Sequence, residues 1–173
     1  MDQTETPPTN ELPEQPHELP PRQFRTVACV AILVVLVDQL TKWWALHALD
    51  DGPVHVLGSL RLNVLYNTGV AFSMGSGRGL GPWIAPLALG VIVVISLGHT
   101  SRFRVGAIAA GLVTGGAVGN LLDRLFRGDA GLLHGAVIDF IDLQWWPVFN
   151  VADMAVVVGA ILLGVAALRA EQV

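Results

Sequence analysis

The sequence predicts an all-α membrane protein: four transmembrane helices, with a small extramembrane β-sheet between the first and the second. Two observations predict it. Of the 173 residues, 53% are hydrophobic and only 14% charged, where an ordinary soluble domain carries roughly a quarter charged residues. The apolar residues also gather into four runs of 17 to 21 residues. An α-helix rising about 1.5 Å per residue needs about that length to cross about 30 Å of hydrocarbon.

Residues 1–21 hold six of the ten prolines, five acids and almost no large apolar side chains. Such a segment cannot bury enough surface to offset the entropy of ordering, so a disordered tail on the cytoplasmic side is expected, followed by one membrane domain over 22–173. The first span runs from about Val27 to Trp44, is interrupted by Asp38, and ends in Lys42, Trp43 and Trp44, residues suited to the headgroup region. The second runs from about Pro82 to Gly98, the third from Val105 to Leu122, the fourth from about Val148 to Leu168. Between the first two, Leu60-Arg61-Leu62-Asn63-Val64 alternates apolar and polar with the period of a strand, which predicts the sheet over about 54–74. Gly75, Gly77, Gly79 and Gly81 then supply a flexible return. Gly111, Gly115 and Gly119 recur every fourth residue and form a smooth ridge on the third span, against which another helix can pack closely.

Charge excludes some functions and leaves orientation open. A net charge of −4 offers no basic face for phosphates, so nucleic acid is not an expected partner. Arg22, Arg25, Arg102, Arg104 and Arg169 lie on the side of the termini, and Lys42, Arg61, Arg78, Arg124 and Arg127 on the other, a tie under the positive-inside rule. The lone Cys29 follows polar residues and precedes an apolar run, the reverse of a lipidation signal, and reads as a small buried hydrophobe.

Chemistry is expected where polar residues interrupt apolar segments, because a charge at a helix centre costs roughly 2.5 to 3.5 kcal/mol on insertion scales. Asp38 and Lys42 are four residues apart and read as a structural ion pair on one helical face. Asn120, Asp123 and Arg124 share a face at the end of the third span, and function and structure explain them equally well. Asp139 sits in the apolar run Val137-Ile138-Asp139-Phe140, and Asp153 opens the fourth span three residues after Asn150. An Asn N-cap followed by a first-turn carboxylate accounts for Asp153 as well as catalysis does. Taken together, two carboxylates sharing a site cannot both ionise easily, which is the division of labour an aspartic protease needs. No His-Glu-x-x-His or Gly-x-Ser-Gly pattern occurs, and His17, His47, His55, His99 and His134 lack ligand spacing, so a metal site is not expected. A small transporter or channel component, using its intramembrane acids as relays, is the rival, although the two halves show no internal repeat. A non-enzymatic membrane scaffold would explain the glycine ridge but not the polar motifs.

Five motifs resemble one family, the lipoprotein signal peptidases, also called signal peptidase II. They are Asp38-Gln39-Leu40-Thr41-Lys42, then Asn67-Thr68-Gly69-Val70-Ala71-Phe72-Ser73, then Gly116-Ala117-Val118-Gly119-Asn120-Leu121-Leu122-Asp123-Arg124, then Val137-Ile138-Asp139-Phe140, and last Phe149-Asn150-Val151-Ala152-Asp153. Position 70 is Val where the family often has Ala, and the proline-rich tail has no family counterpart. The resemblance implies cytoplasmic termini in a bacterial inner membrane, an active site near the outer leaflet, and no metal or organic cofactor. It implies removal of signal peptides from diacylglyceryl-modified prolipoproteins just before the lipidated cysteine, among membrane lipids, with globomycin-type inhibitors as ligands. By position, Asp139 and Asp153 match the catalytic pair, and Asn67, Asn120, Arg124 and Asn150 match substrate-site residues. Asp38, Lys42 and Asp123 match supports of the fold.

Overall fold

The computed structural model describes residues 21, 23–68, 90, 102–128 and 135–170. Three helices and a three-stranded antiparallel sheet make up these residues: α1 (Phe24–Ala48), β1 (Val54–Leu57), β2 (Leu60–Asn67), α2 (Arg104–Phe126), β3 (Val137–Asp142) and α3 (Val151–Ala170). Two of the helices, α1 and α2, are long and apolar enough to cross a membrane. The predicted second span, 82–98, lies outside the described residues apart from Gly90, as does the tail apart from Pro21.

Small residues on α2 decide the helix packing. A Cβ at Gly111 would stand 2.6 Å from Val30 Cβ, and one at Gly115 would stand 2.7 Å from the Ala31 carbonyl oxygen. One at Gly119 would stand 2.6 Å from Asp38 Oδ2. The partners on α1 ascend with the glycines, so α1 and α2 run parallel. The neighbouring ridge meets α3, where Gly116 faces Ala152 and Val156 while Gly159 faces Ala109, Leu112 and Val113. These partners run in opposite order, so α3 is antiparallel to α2. Close backbone approach without side-chain obstruction is how helices associate where lipid removes the hydrophobic drive. The outward faces keep Ile32, Leu33, Leu36 and Leu40 of α1 and Val157 and Ile161 of α3 exposed, as a lipid-facing surface requires. Cys29 belongs to that exposed face, which corrects its reading as a buried hydrophobe.

The sheet order is β1-β2-β3, so its third strand comes from beyond α2, not from the segment between the first two spans. That corrects the sheet predicted from 54–74 alone. Residues 137–140 are buried, and without a solvated face the strand has no two-residue alternation to betray it. Gly58, at φ +56°, takes the first central position of the two-residue turn joining β1 to β2, where a II′ turn calls for glycine. One extra β2 residue bulges between Leu62 and Leu65 opposite Phe140. Ala45, Leu49 and Phe140, with Leu62, Val64, Ile141 and Val151 against them, bind the sheet to the end of α1 and the start of α3.

Candidate active site

The last turns of α1 and α2, the first turn of α3 and strand β3 converge at the sheet end of the helices. At this end α1 and α2 run a little past their predicted limits, to Ala48 and to Phe126, while α3 begins three residues inside its own, at Val151. The third predicted motif is therefore wholly helical, and Asp123 and Arg124 belong to α2.

Lys42 anchors one side of the site. It has no solvent exposure, and its ammonium reaches Asp38 Oδ2 at 2.9 Å, Asp123 Oδ2 at 2.8 Å and Asn120 Oδ1 at 2.9 Å. Three donors thus meet three acceptors. Asp38 turns its other oxygen to the Ala152 N–H at 3.0 Å, holding the start of α3 from a different helix. Asp123 also accepts from Arg127 Nε at 2.7 Å and from the Ile138 N–H at 3.2 Å, tying α2 to β3. Gln39 bonds to both carboxylates and to the Gly119 carbonyl. Two carboxylates, one ammonium and one guanidinium sum to zero, the condition under which burying charge is tolerable. The ion pair expected between Asp38 and Lys42 is thus the core of a larger cluster, in which Gln39 and Arg127 were not anticipated. Arg127 stands four residues after Asp123, and that helical spacing was the available signal.

The second group surrounds Asp139 and Asp153. After β3 the chain doubles back, and Phe149 bridges to Ile141, with N–H···O bonds of 2.9 and 3.1 Å between them. That bridge delivers Asn150, fully buried, to β3, where its Nδ2 donates to Asp139 Oδ1 at 2.7 Å. Asn150 is also the helix cap that the sequence predicted. Its Oδ1 accepts from the Asp153 N–H at 3.0 Å, and Asp153 Oδ2 accepts in return from the Asn150 N–H at 3.1 Å, a reciprocal capping arrangement. Asn67 Nδ2 donates to Asp139 Oδ2 at 2.9 Å, and Asn120 Nδ2 to Asp153 Oδ1 at 2.8 Å. The N-cap and pairing readings of Asp153 therefore both hold: one residue, Asn150, caps α3 and links the two carboxylates.

The two acids differ in surroundings. Asp139 is 1% exposed, and burial, with the Asp153 charge adding to it, pushes its pKa up to about 6 despite the amide donors. Asp153 is half-buried and Asn67 is exposed at the rim. Farther along β3, the Arg61 guanidinium beside Asp142 holds that carboxyl below its usual value. Arg124 is 8% exposed, and its Nη1 is buried without a hydrogen-bond partner among the described residues. Of the predicted site residues, Asp139, Asp153, Asn67, Asn120 and Asn150 are joined by hydrogen bonds, Asp38, Lys42 and Asp123 connect to them through the Lys42–Asn120 bond, and Arg124 lies one turn beyond Asn120 on α2. Among the described residues, no group of three or more His, Cys, Asp or Glu side chains is arranged to hold a metal ion.

Fold and site together define a small, mainly helical membrane protein with a buried polar centre at one end of its helices. Residues 30–169 match the family model described as signal peptidase (SPase) II. The chain is 42% identical over 166 residues to the lipoprotein signal peptidase of Rhodococcus jostii, covering 94% of this chain and 81% of that protein. It is 43% identical to those of Mycobacterium avium, over 86% of this chain and 81% of that one, and Mycobacterium tuberculosis strain H37Rv, over 83% and 71%. Its fold is similar to a bacterial membrane enzyme solved by the in meso method at 1.9 Å resolution, with TM-score 0.69, 26% identity, and coverage of 88% of this chain and 98% of that one. The chain belongs to the signal peptidase II family.

Proposed function

We propose that this protein is an aspartic endopeptidase that removes the signal peptide from diacylglyceryl-modified prolipoproteins, cutting just before the lipidated cysteine, with Asp139 and Asp153 as the catalytic pair. Family membership carries the protease activity and the prolipoprotein substrate. The observation that supports the aspartic mechanism is the Asn150 link, which ties both carboxylates into one hydrogen-bonded set, one acid buried and the other half-open. In this reading Asp153, in the first turn of α3, takes a proton from water as the water oxygen adds to the scissile carbonyl. Asp139 then gives its proton to the departing nitrogen as the C–N bond breaks. Exchange with solvent resets the pair, whose titration belongs to both groups together. Asn67, Asn120 and the guanidinium of Arg124 offer donors to substrate carbonyls, and a globomycin-type inhibitor would use the same donors; Asn150 takes part in the substrate site by fixing its neighbours, its two N–H groups being held by Asp139 and Asn120. Asp38, Lys42 and Asp123 support the site. No cofactor enters the mechanism.

The proposal extends to topology. Because α1 and α2 run parallel, the 33 residues from 69 to 101 return the chain from one end of these helices to the other. That supports a fourth crossing at 82–98; the family resemblance, and not the packing, is what favours both termini on the cytoplasmic side, residues 1–21 as a tail outside the peptidase domain of 22–173, and the sheet and site at the outer leaflet of the bacterial membrane. Asp139→Asn and Asp153→Asn, each nearly isosteric, should abolish release of signal peptide from a diacylated prolipoprotein while expression and membrane insertion persist. Substantial turnover by either variant would refute the pair.

A further inference from the structure

The hydrogen-bond polarity around Asp153 is set from a distance. Lys42 can only donate, so the side-chain oxygen of Asn120 must face it, at 2.9 Å. The same oxygen accepts from Asn150 Nδ2 at 3.0 Å, so both of its lone pairs are engaged. The Asn120 NH2 is thereby directed to the opposite side, where it meets Asp153 Oδ1 at 2.8 Å. A cation on an amide oxygen polarises that amide and strengthens the hydrogen bond its N–H makes, and a low-dielectric interior magnifies the effect.

We infer that Lys42 is a positioning residue for catalysis: through the relay Lys42–Asn120–Asp153 it holds Asp153 as an oriented hydrogen-bond acceptor, ready to take a proton from water. This role goes beyond support of the fold and rests on the reading of Asp153 as the base. The relay adds to that support a bond that neither carboxylate of the cluster receives. Neutrality accounts for the ammonium charge, since Arg127 answers Asp123 and leaves Asp38 to Lys42, but it does not account for where the third ammonium proton goes. The third ammonium proton is the one that leaves the cluster for the catalytic side. The charged groups bearing on this path are Asp38 and Lys42 from α1, Asp123, Arg124 and Arg127 from α2, and Asp139 from β3. A test must therefore remove the Lys42 charge without unbalancing the others.

The double variant Lys42→Met/Asp38→Asn does so, because one positive and one negative charge leave together and the introduced amide oxygen can still accept from the Ala152 N–H. Its kcat should fall about tenfold or more with KM little changed, the pattern of a group acting on the chemical step. The acid limb of its log kcat profile should move to higher pH by about one unit, a tenfold loss of preference for the ionised base. Asn120→Leu leaves every Lys42–carboxylate bond in place and should move the same limb in the same direction, and combining the variants should add nothing further. A folded double variant with a wild-type pH profile would overturn the relay. So would an Asn120→Leu protein whose limb stays put, a result that can be read even if the double variant fails to fold. Additive shifts would overturn it too, by showing that Lys42 acts through space and not through Asn120. Asp139→Asn and Asp153→Asn are measured alongside: if they remain active, the aspartic reading fails, and if they are dead while the relay variants behave as wild type, only the relay does.

Discussion

Asp139 shows at the scale of one residue how burial sets a carboxyl against the stability of the fold. Burial raises its pKa from 3.8 to about 6, so the fold prefers the protonated acid. The sign follows directly: its contribution to stability is fully present below about pH 3.8 and is lost as the pH rises through about 6. Asp139→Asn, which removes the buried charge, should therefore unfold at higher temperature than the wild type at pH 7.5, with the difference vanishing toward pH 4. The shift bounds the gain at about 3 kcal/mol, and the amide NH2 facing the Asn67 or Asn150 donor subtracts from it. Thermal unfolding in detergent across that pH range checks this, and a variant less stable than wild type at pH 7.5 would show that the hydrogen bonds outweigh the desolvation.

At the scale of elements, α2 is the piece on which the others are mounted. Both of its packed faces are built from small residues, so neither α1 nor α3 is held off by side chains. A side chain at position 115 would press on the α1 backbone at Ala31, and backbone cannot rotate away as the end of a long side chain can. Gly115→Leu should accordingly cost about 1 to 3 kcal/mol, the range found when side chains are forced into a packed interior. It should also lower turnover, because tilting α1 carries Asp38 and Lys42 away from Ala152 and Asn120. Unchanged melting of this variant in detergent would show that α1 can slide on α2 without cost. The α3 N-terminus is similarly composite: its capping residue is its own Asn150, but its Ala152 N–H is satisfied by Asp38 of α1. The start of this helix therefore depends on the helix farthest from it in sequence.

At the scale of the molecule, the described residues of the site lie within those matched to the family model, 30–169. Residues 1–21 fall outside that match and are rich in proline and poor in large apolar side chains. Deletion of residues 2–21 should leave signal-peptide release in membranes unchanged at equal protein level, which a cleavage assay of the truncated protein would check. A large fall in turnover would assign that segment a part in catalysis. The chain order also explains why the site needs the whole domain. Residues from β2, α2, β3 and the start of α3 supply the carboxylates and their donors, and α1 supplies the ammonium that orients Asn120, so a fragment without α1 loses that ammonium.

What the sequence determined alone was everything written in local periodicity and local spacing. Membrane character, the approximate limits of α1, α2 and α3, the hairpin strand β2, the glycine ridge and the Asn150 cap are each set by residues within a few positions of one another. The five motifs marked the residues of the site because polar side chains in apolar segments stand out whatever the fold. Tertiary structure alone decided three things. Strand β3 exists because β2 and the Phe149 bridge pair with it from both sides, and a strand buried in this way carries no alternation. The ion pair of Asp38 and Lys42 became a cluster because Asp123, 81 residues beyond Lys42 in the chain, is brought to the same ammonium by parallel packing of α1 on α2. The direction of the amide chain from Lys42 to Asp153 was likewise beyond the sequence. Hydrogen-bond polarity depends on which groups face one another in space, and spacing along a chain does not specify that.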